Sequence, residues 1–475
     1  MGNPTIHPTG VTIYDPQKCY NGYTLFQANE HGAVLIDMNG GVVNFWEKLQ
    51  GFPNKLLPGG QVLGSLGERA IPYGHQDQSD LVQVDWDGNI VWKFDHLEYI
   101  ADPEQKPQWM ARQHHDYQRE GNPVGYYVPG CEAKTTDGNT LLLCHHNVVD
   151  KRITLETLVD DCIIEIDWQG QIVWRWNCHE HFSEYEFSDI AKNAIARCRA
   201  KDQCGFDWMH INCMSVLGPN RWYDAGDERF HPDNIIWDSR QANILAIISK
   251  ETGKVVWKLG PDYGDKAYRW IGQIIGPHHT HMIPRGLPGE GNILVFDNGG
   301  WGGYGLPDTF TKTGERAIRR DYSRVLEIDP VQLKIVWQFT PSEMGHAMPF
   351  TAHHFYSPFI SSAQRLPNGN TLITEGSGGR VIEVTPEHEV VWEYVSPYWG
   401  KEMPLNMIYR AYRYPYDYVP QLTHDEEVAI ERVDVTELRM LGAKGKAFGR
   451  TAHVPGVWGY GASDGFCVEK EDVQP

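Results

Sequence analysis

The chain has no run of about 18 apolar residues, so no membrane-spanning helix is expected. Its opening residues, Met-Gly-Asn-Pro-Thr, lack the basic stretch and apolar stretch of a secretory signal, and a cytoplasmic location is expected. Basic residues are scarce: 42 Lys and Arg stand against 62 Asp and Glu, a formal net charge of −20. Such a surface repels phosphate backbones and anionic lipid, so neither nucleic acid nor membrane is an expected partner. It also disfavours anionic substrates at long range, although a local basic site can still bind one. Cysteine is present nine times, but only Cys198 and Cys204 are close, at a spacing unlike a metal knuckle. The cysteines therefore read as thiols in a reducing compartment. No Cys-x-x-Cys and no helical His-x-x-x-His motif occurs.

What is abundant is material for short strands. The chain carries 17 Trp, 23 Tyr, 48 Gly and 29 Pro, spread along its length. One phrase recurs: an apolar strand, a polar turn, then a strand ending in Val-Trp. It reads LVQVDWDGNIVWKF at 81–94, IIEIDWQGQIVWRW at 163–176 and ILAIISKETGKVVWKLG at 244–260. It returns as VLEIDPVQLKIVWQF at 325–339 and VIEVTPEHEVVWEYV at 381–395, with a weaker copy, AVLIDMNGGVVNFW, at 33–46. Alternating apolar and polar residues around a Gly-containing turn define a hairpin. A second phrase precedes the hairpins: a Gly-Asn or Gly-Gly turn before an apolar strand, as in DGNTLLLCHH at 137–146 and PNGNTLITEG at 367–376. Two phrases make four strands, and six such units predict an all-β, six-bladed propeller in one domain, 1–475. The blades are expected near 21–49, 54–94, 113–176, 207–260, 276–339 and 353–397, with the recurrent Trp packed between neighbours. Insertions fall at 95–112, 180–206, 216–235 and 300–322. Residues 183–200 have helical spacing, and 398–475 reads as a tail wrapped over one face.

In a propeller the first strand of each blade lines the central channel, and these segments repeatedly carry histidine. They include His114-His115, His210, His278-His279-Thr280-His281 and His353-His354, while His145-His146 ends a second strand. A single histidine on a strand is usually a satisfied core residue; clusters at matching repeat positions point to a shared site. Two chemistries use converging imidazoles. A neutral imidazole can act as nucleophile or base while others and an arginine hold an anion. Alternatively, three or more imidazoles can bind a transition metal with an open position. His179-Glu180-His181 reads as a loop feature. Arg240 and Arg324 each follow a serine just before a hairpin and are candidate anion clamps. Asn212, and Trp301 and Tyr304 in the aromatic loop beyond the Asp297-Asn298-Gly299 turn, are candidate substrate contacts.

The strand DWMHIN (207–212), with DSR (238–240), TGKVVWKLG (252–260), HHTHMIP through GNILVFDNG (278–299), SRVLEIDP (323–330) and RLPNGNTLITEG (365–376), resembles the arylsulfotransferase family of six-bladed propellers. The resemblance implies transfer of a sulfuryl group from a phenolic sulfate ester to another phenol, through a transiently sulfated histidine and without a nucleotide donor. Carried onto this chain, it implies that His210 holds the sulfate or phenolic oxygen and that His279 or His281 is acid and base. It implies His354, or its neighbour His353, as nucleophile, with Arg324 as clamp and Arg240 second. No cofactor is required on this reading, and the partner is a small aromatic substrate. The surplus histidines, and the Gly-Trp-Gly-Gly that follows the Asp297-Asn298-Gly299 turn where an arginine would serve an anion, motivate a rival. In it His115, His210, His281 and His354 ligate copper, iron or zinc in an oxidoreductase or lyase acting on an aromatic or small organic substrate. A homo-oligomer is compatible with either.

Overall fold

A computed structural model of the protein describes residues 9–70, 72–200, 203–423 and 428–429. Each recurrent hairpin phrase folds as a hairpin because its turn satisfies itself. Asp85 Oδ1 accepts from the backbone N–H of Asp87 and Asn89 (3.0 and 2.8 Å), while Gly88 takes φ +82°, which favours glycine. The same device recurs at Asp37 with Asn39 and Gly41, and at Asp329 with Val331 and Gln332.

Six sheets, each with four antiparallel strands, form the blades of a propeller; Phe206–Asp207 adds a short parallel pair to the third and one further strand joins the sixth. The second is Lys55–Leu57, Gln61–Gly64, Leu81–Val84 and Ile90–Phe94. The third is Gln113–Arg119, Thr140–Val148, Leu158–Ile166 and Ile172–Asn177. The fourth is Ile211–Val216, Ile235–Ser239, Ile244–Ile248 and Val255–Leu259, and the fifth His278–Met282, Ile293–Asp297, Arg324–Asp329 and Lys334–Phe339. Apolar residues facing between the blades are fully buried, as at Leu142, Ile164, Trp237, Ile247 and Val295.

The two terminal blades differ from the expectation. The inner strand of the first blade is Ala411–Tyr414, which pairs with Tyr23–Ala28 ahead of Gly32–Ile36 and Val42–Trp46. Thus part of the segment read as a wrapping tail is a strand of the sheet. The sixth blade begins at Ser362–Arg365, not at 353, and continues through Thr371–Glu375, Arg380–Val384 and Val390–Val395. Gly10–Tyr14 adds to its outer edge. A strand from each end of the described chain therefore joins a sheet made by the other end, which closes the ring of blades. Most of the remaining tail, 424–427 and 430–475, lies outside the described residues.

The recurrent tryptophans stitch the ring. Each donates its indole N–H to a hairpin carbonyl of the next blade: Trp46 to Asp85, Trp92 to Trp168, Trp174 to Lys250, Trp257 to Pro330, Trp337 to Pro386, and Trp392 back to Met38 in the first blade. The insertion read as helical over 183–200 divides into a 3₁₀ turn, Cys178–Tyr185, and an α-helix, Asp189–Arg197, whose N-cap Ser188 Oγ accepts from Ala191 N. None of the eight described cysteines forms a disulfide. Among the described residues no helix is long and apolar enough to cross a membrane.

Candidate active site

Three inner strands shift their ladder register, and a histidine with left-handed backbone lies within the shift in the third and fifth blades and just before the strand in the fourth. His115, His210 and His279 take φ +56°, +52° and +54°, and pairing shifts between Gln113 and Tyr117, between Ile211 and Cys213, and between His278 and His281. Left-handed backbone is tolerated by histidine more readily than by β-branched residues, and such bulges re-aim a side chain. In the sixth blade left-handed residues precede the inner strand as well, at Ile360 and Ser361 (φ +56° and +96°), with no imidazole.

His115 and His210 come together with ring centroids 4.8 Å apart. His210 Nδ1–H donates to Asp207 Oδ2 at 2.6 Å, and the same oxygen accepts from His75 Nε2 at 3.0 Å. Burial raises the carboxyl pKa of Asp207, but His210 and His75 outweigh it and hold it well below the usual range. Burial pulls His210 down to about 4, opposed in part by Asp207. For His75 burial also acts downward, yet Asp207 wins and its pKa is raised. One ionised carboxylate thus stands between a neutral imidazole, with Nδ1 fixed and Nε2 carrying its lone pair, and an imidazole biased toward the cation.

Arg240 adjoins this group. Its backbone N–H donates to His210 O at 3.1 Å, its side chain is buried, and its Nε has no hydrogen-bond partner. Burial lowers its pKa to about 10, so it stays cationic at neutral pH. Trp301 offers its ring face 5.7 Å from the guanidinium carbon. A cavity of about 300 Å³ reaches His75 and Asp207 and is walled also by Glu68, Gln241, Glu315 and Arg316.

The other expected site residues lie elsewhere. His353 and His354 are exposed on a 3₁₀ turn, Ala352–His354, before the sixth blade, and His354 packs on His346 at 4.7 Å between ring centroids. The expectation that they sit on an inner strand is corrected: that strand starts at Ser362. Arg324 is no anion clamp. Its Nε bonds Asp297 Oδ2 at 2.8 Å and its Nη atoms bond the carbonyls of Ile271 and Gln273 at 3.0 and 3.1 Å, so its donors are spent on protein. His279 and His281 form a separate buried group. His279 meets Ala363 O through Nδ1 (2.9 Å) and Tyr412 Oη through Nε2 (3.3 Å); His281 meets His279 O (2.9 Å) and Tyr126 Oη (2.8 Å). Both nitrogens of each ring are engaged beside the Lys55–Asp116–Arg410 ion pairs, in a void of about 10 Å³.

The four-histidine ligand set His115, His210, His281 and His354 is therefore not assembled. Asn212 is buried, its Nδ2 on Pro277 O at 3.0 Å and its backbone carbonyl receiving Arg410 Nη2 at 2.6 Å, while its Oδ1 has no hydrogen-bond partner. Tyr304 is buried in an added hairpin strand, Gly302–Tyr304, with its hydroxyl on Trp208 O at 2.5 Å.

Sequence reasoning did not select His75 or Asp207. Asp207 stands in the Asp-Trp-Met-His phrase three residues before His210, a spacing that could have flagged it. His75 lies in a loop of the second blade, and nothing local links it to the fourth.

The fold and this group of residues define a propeller with a histidine-lined inner site. The family model for arylsulfotransferase (ASST) matches residues 132–396, and the chain belongs to that family. No curated protein matches the chain. Among solved structures, a protein of unknown function from Bacteroides caccae is similar at 12% identity and a TM-score of 0.41, over 82% of this chain and 98% of that one. Virginiamycin B lyase from Staphylococcus aureus is similar at 10% identity and a TM-score of 0.33, over 82% and 84% of the two chains.

Proposed function

We propose that the protein transfers a sulfuryl group from an aryl sulfate to an acceptor phenol, with His210 as the group that is transiently sulfated. The observation that carries this reading is Asp207 accepting from both His210 Nδ1 and His75 Nε2. His210 Nε2 attacks sulfur; the S–N bond forms as the S–O bond to the aromatic ring breaks. The departing phenolate takes a proton from His75, which Asp207 keeps available. An acceptor phenol then gives its proton to His75 and attacks sulfur, and the S–N bond breaks. Arg240, cationic and with an unspent Nε, stabilises charge on the sulfuryl oxygens. The family to which the chain belongs supports sulfuryl transfer in general; the assignment of roles to these residues is the proposal.

The test is release of p-nitrophenol from p-nitrophenyl sulfate in the presence of a phenol acceptor. His210→Ala is expected to reduce transfer to background. Arg240→Ala should lower kcat by about 100-fold to 1000-fold. His354→Ala, on its exposed turn, should keep full activity. Full activity in His210→Ala would overturn the reading.

A further inference from the structure

Three adjacent strands of the third blade carry paired residues with metal-binding chemistry: His114-His115, His145-His146 and Asp160-Asp161. The register places His145 opposite Asp161 and His146 opposite Asp160. Because successive side chains on a strand point to opposite faces, the two cross-strand pairs part to opposite sides of the sheet.

On one side the geometry explains itself. Asp160 Oδ2 accepts from His179 Nδ1 at 2.7 Å and Oδ1 from Trp208 Nε1 at 2.8 Å. On the other side it does not. His114 Nε2 lies 3.3 Å and His145 Nε2 3.8 Å from Asp161 Oδ1, all three side chains being wholly buried. The two imidazoles stack with centroids 3.5 Å apart and planes 13° from parallel. His145 Nδ1–H donates to Asp77 Oδ1 at 2.6 Å, and Asp77 in turn is bound by Arg112 Nε at 2.8 Å. In the neutral ring that bond places the proton on Nδ1 and leaves a lone pair on His145 Nε2, 3.8 Å from Asp161 Oδ1. His114 Nε2, His145 Nε2 and Asp161 Oδ2 have no hydrogen-bond partner. The lone pair on His145 Nε2 and the Asp161 carboxylate, 3.8 Å apart, repel unless a cation lies between them; with the His114 proton on Nδ1, toward His115, His114 Nε2 faces the same carboxylate as a further acceptor.

We propose that His114 Nε2, His145 Nε2 and the Asp161 carboxylate bind a divalent first-row transition-metal ion. The ligand atoms lie within 4.8 Å of one another, and two imidazoles with one carboxylate are a donor set such ions favour. Asp77 behind His145, and His115 Nδ1 against His114 Nδ1 at 2.9 Å, supply the outer contacts that orient ligating imidazoles. The site adjoins the sulfuryl-transfer group through His115, but it goes beyond that reading, which needs no metal.

The test uses the full chain, stripped with a chelator, dialysed and titrated with Co²⁺. The wild type is expected to bind one Co²⁺ with visible d–d absorption, displaced by Zn²⁺, and so is His179→Ala on the opposite face of the sheet. Asp161→Asn and His145→Gln should lose the spectrum, and Asp77→Asn should weaken binding by about 10- to 100-fold. Should the ligand variants fail to fold, the wild-type chain still decides: its thermal midpoint must rise with Co²⁺ concentration, as for any ligand that binds only the folded state. No Co²⁺ spectrum and no thermal shift in the wild type would overturn the proposal, the cation then being a proton on Asp161. A spectrum that survives both ligand substitutions would overturn it too. Sulfuryl transfer by metal-stripped protein would leave the proposed function standing whatever the metal result, so the two fail separately.

Discussion

An arginine can clamp a substrate anion only if its donors are not already spent, and the two arginines singled out in the sequence fall on opposite sides of that condition. Arg324 gives itself to Asp297 and two loop carbonyls. Arg240 keeps an unpartnered Nε beside His210. Arg324→Ala is therefore expected to act on stability: it strands the buried Asp297 carboxylate, whose other arginine, Arg320, lies 2.9 Å away and offsets part of the loss. Removing one member of such a pair costs about 3 kcal/mol, to be read from urea unfolding with kcat of the folded fraction unchanged. A large fall in kcat without a change in stability would restore Arg324 to the site. The sequence showed both residues in the same Ser-Arg context; which one is spent depends on Asp297, and no local pattern separates them.

Among the elements, the inner strands carry the chemistry and the terminal strands carry the closure. The repeat phrases locate hairpins well because a hairpin is a contact between neighbours in sequence: Asp85 needs only Asp87 and Asn89 to make its turn. They locate the first and last blades poorly, because the partner of Tyr23–Ala28 is Ala411–Tyr414, at the other end of the described chain. Arg413 shows what that closure is made of. It is fully buried, with Nε on Thr24 Oγ1 at 2.7 Å and Nη1 on Glu383 Oε2 at 3.2 Å, and it lies 4.6 Å from the Trp392 ring, so it joins the first blade to the sixth. Arg413→Ala leaves Glu383 buried without its counter-charge and is expected to cost about 3–5 kcal/mol. A urea midpoint within error of wild type would show that closure does not depend on this pair. The left-handed bulges are a second feature of the inner strands that the alternation pattern does not reveal. His115 within its strand and His210 just before its own both take left-handed backbone and meet ring to ring, whereas an unbroken strand sends residues to alternate faces.

The described residues form a ring of blades tied by tryptophan at each of its six joints, and the chain is strongly acidic. With a formal charge of −20, it repels an aryl sulfate until the anion is within reach of Arg240 and Arg316. Screening lengths fall from about 30 Å at 0.01 M salt to about 8 Å at 0.15 M. For the proposed reaction, kcat/KM is accordingly expected to rise with ionic strength over that range, measured by steady-state kinetics with p-nitrophenyl sulfate. A fall would show that the basic residues at the cavity, not the net charge, govern the approach.

The sequence by itself determined the blade count, the hairpin turns, the tryptophans between blades and the presence of histidine on inner strands. Each of these is written in residues close together or in a repeated phase. Only the tertiary structure decided which histidine meets which carboxylate. Asp77 and His145 are 68 residues apart, and His75 and Asp207 come from different blades. Their chemistry exists only where ring closure and the strand bulges bring them within hydrogen-bonding distance in a buried interior. There the loss of water makes every pairing, and every unpaired atom, count.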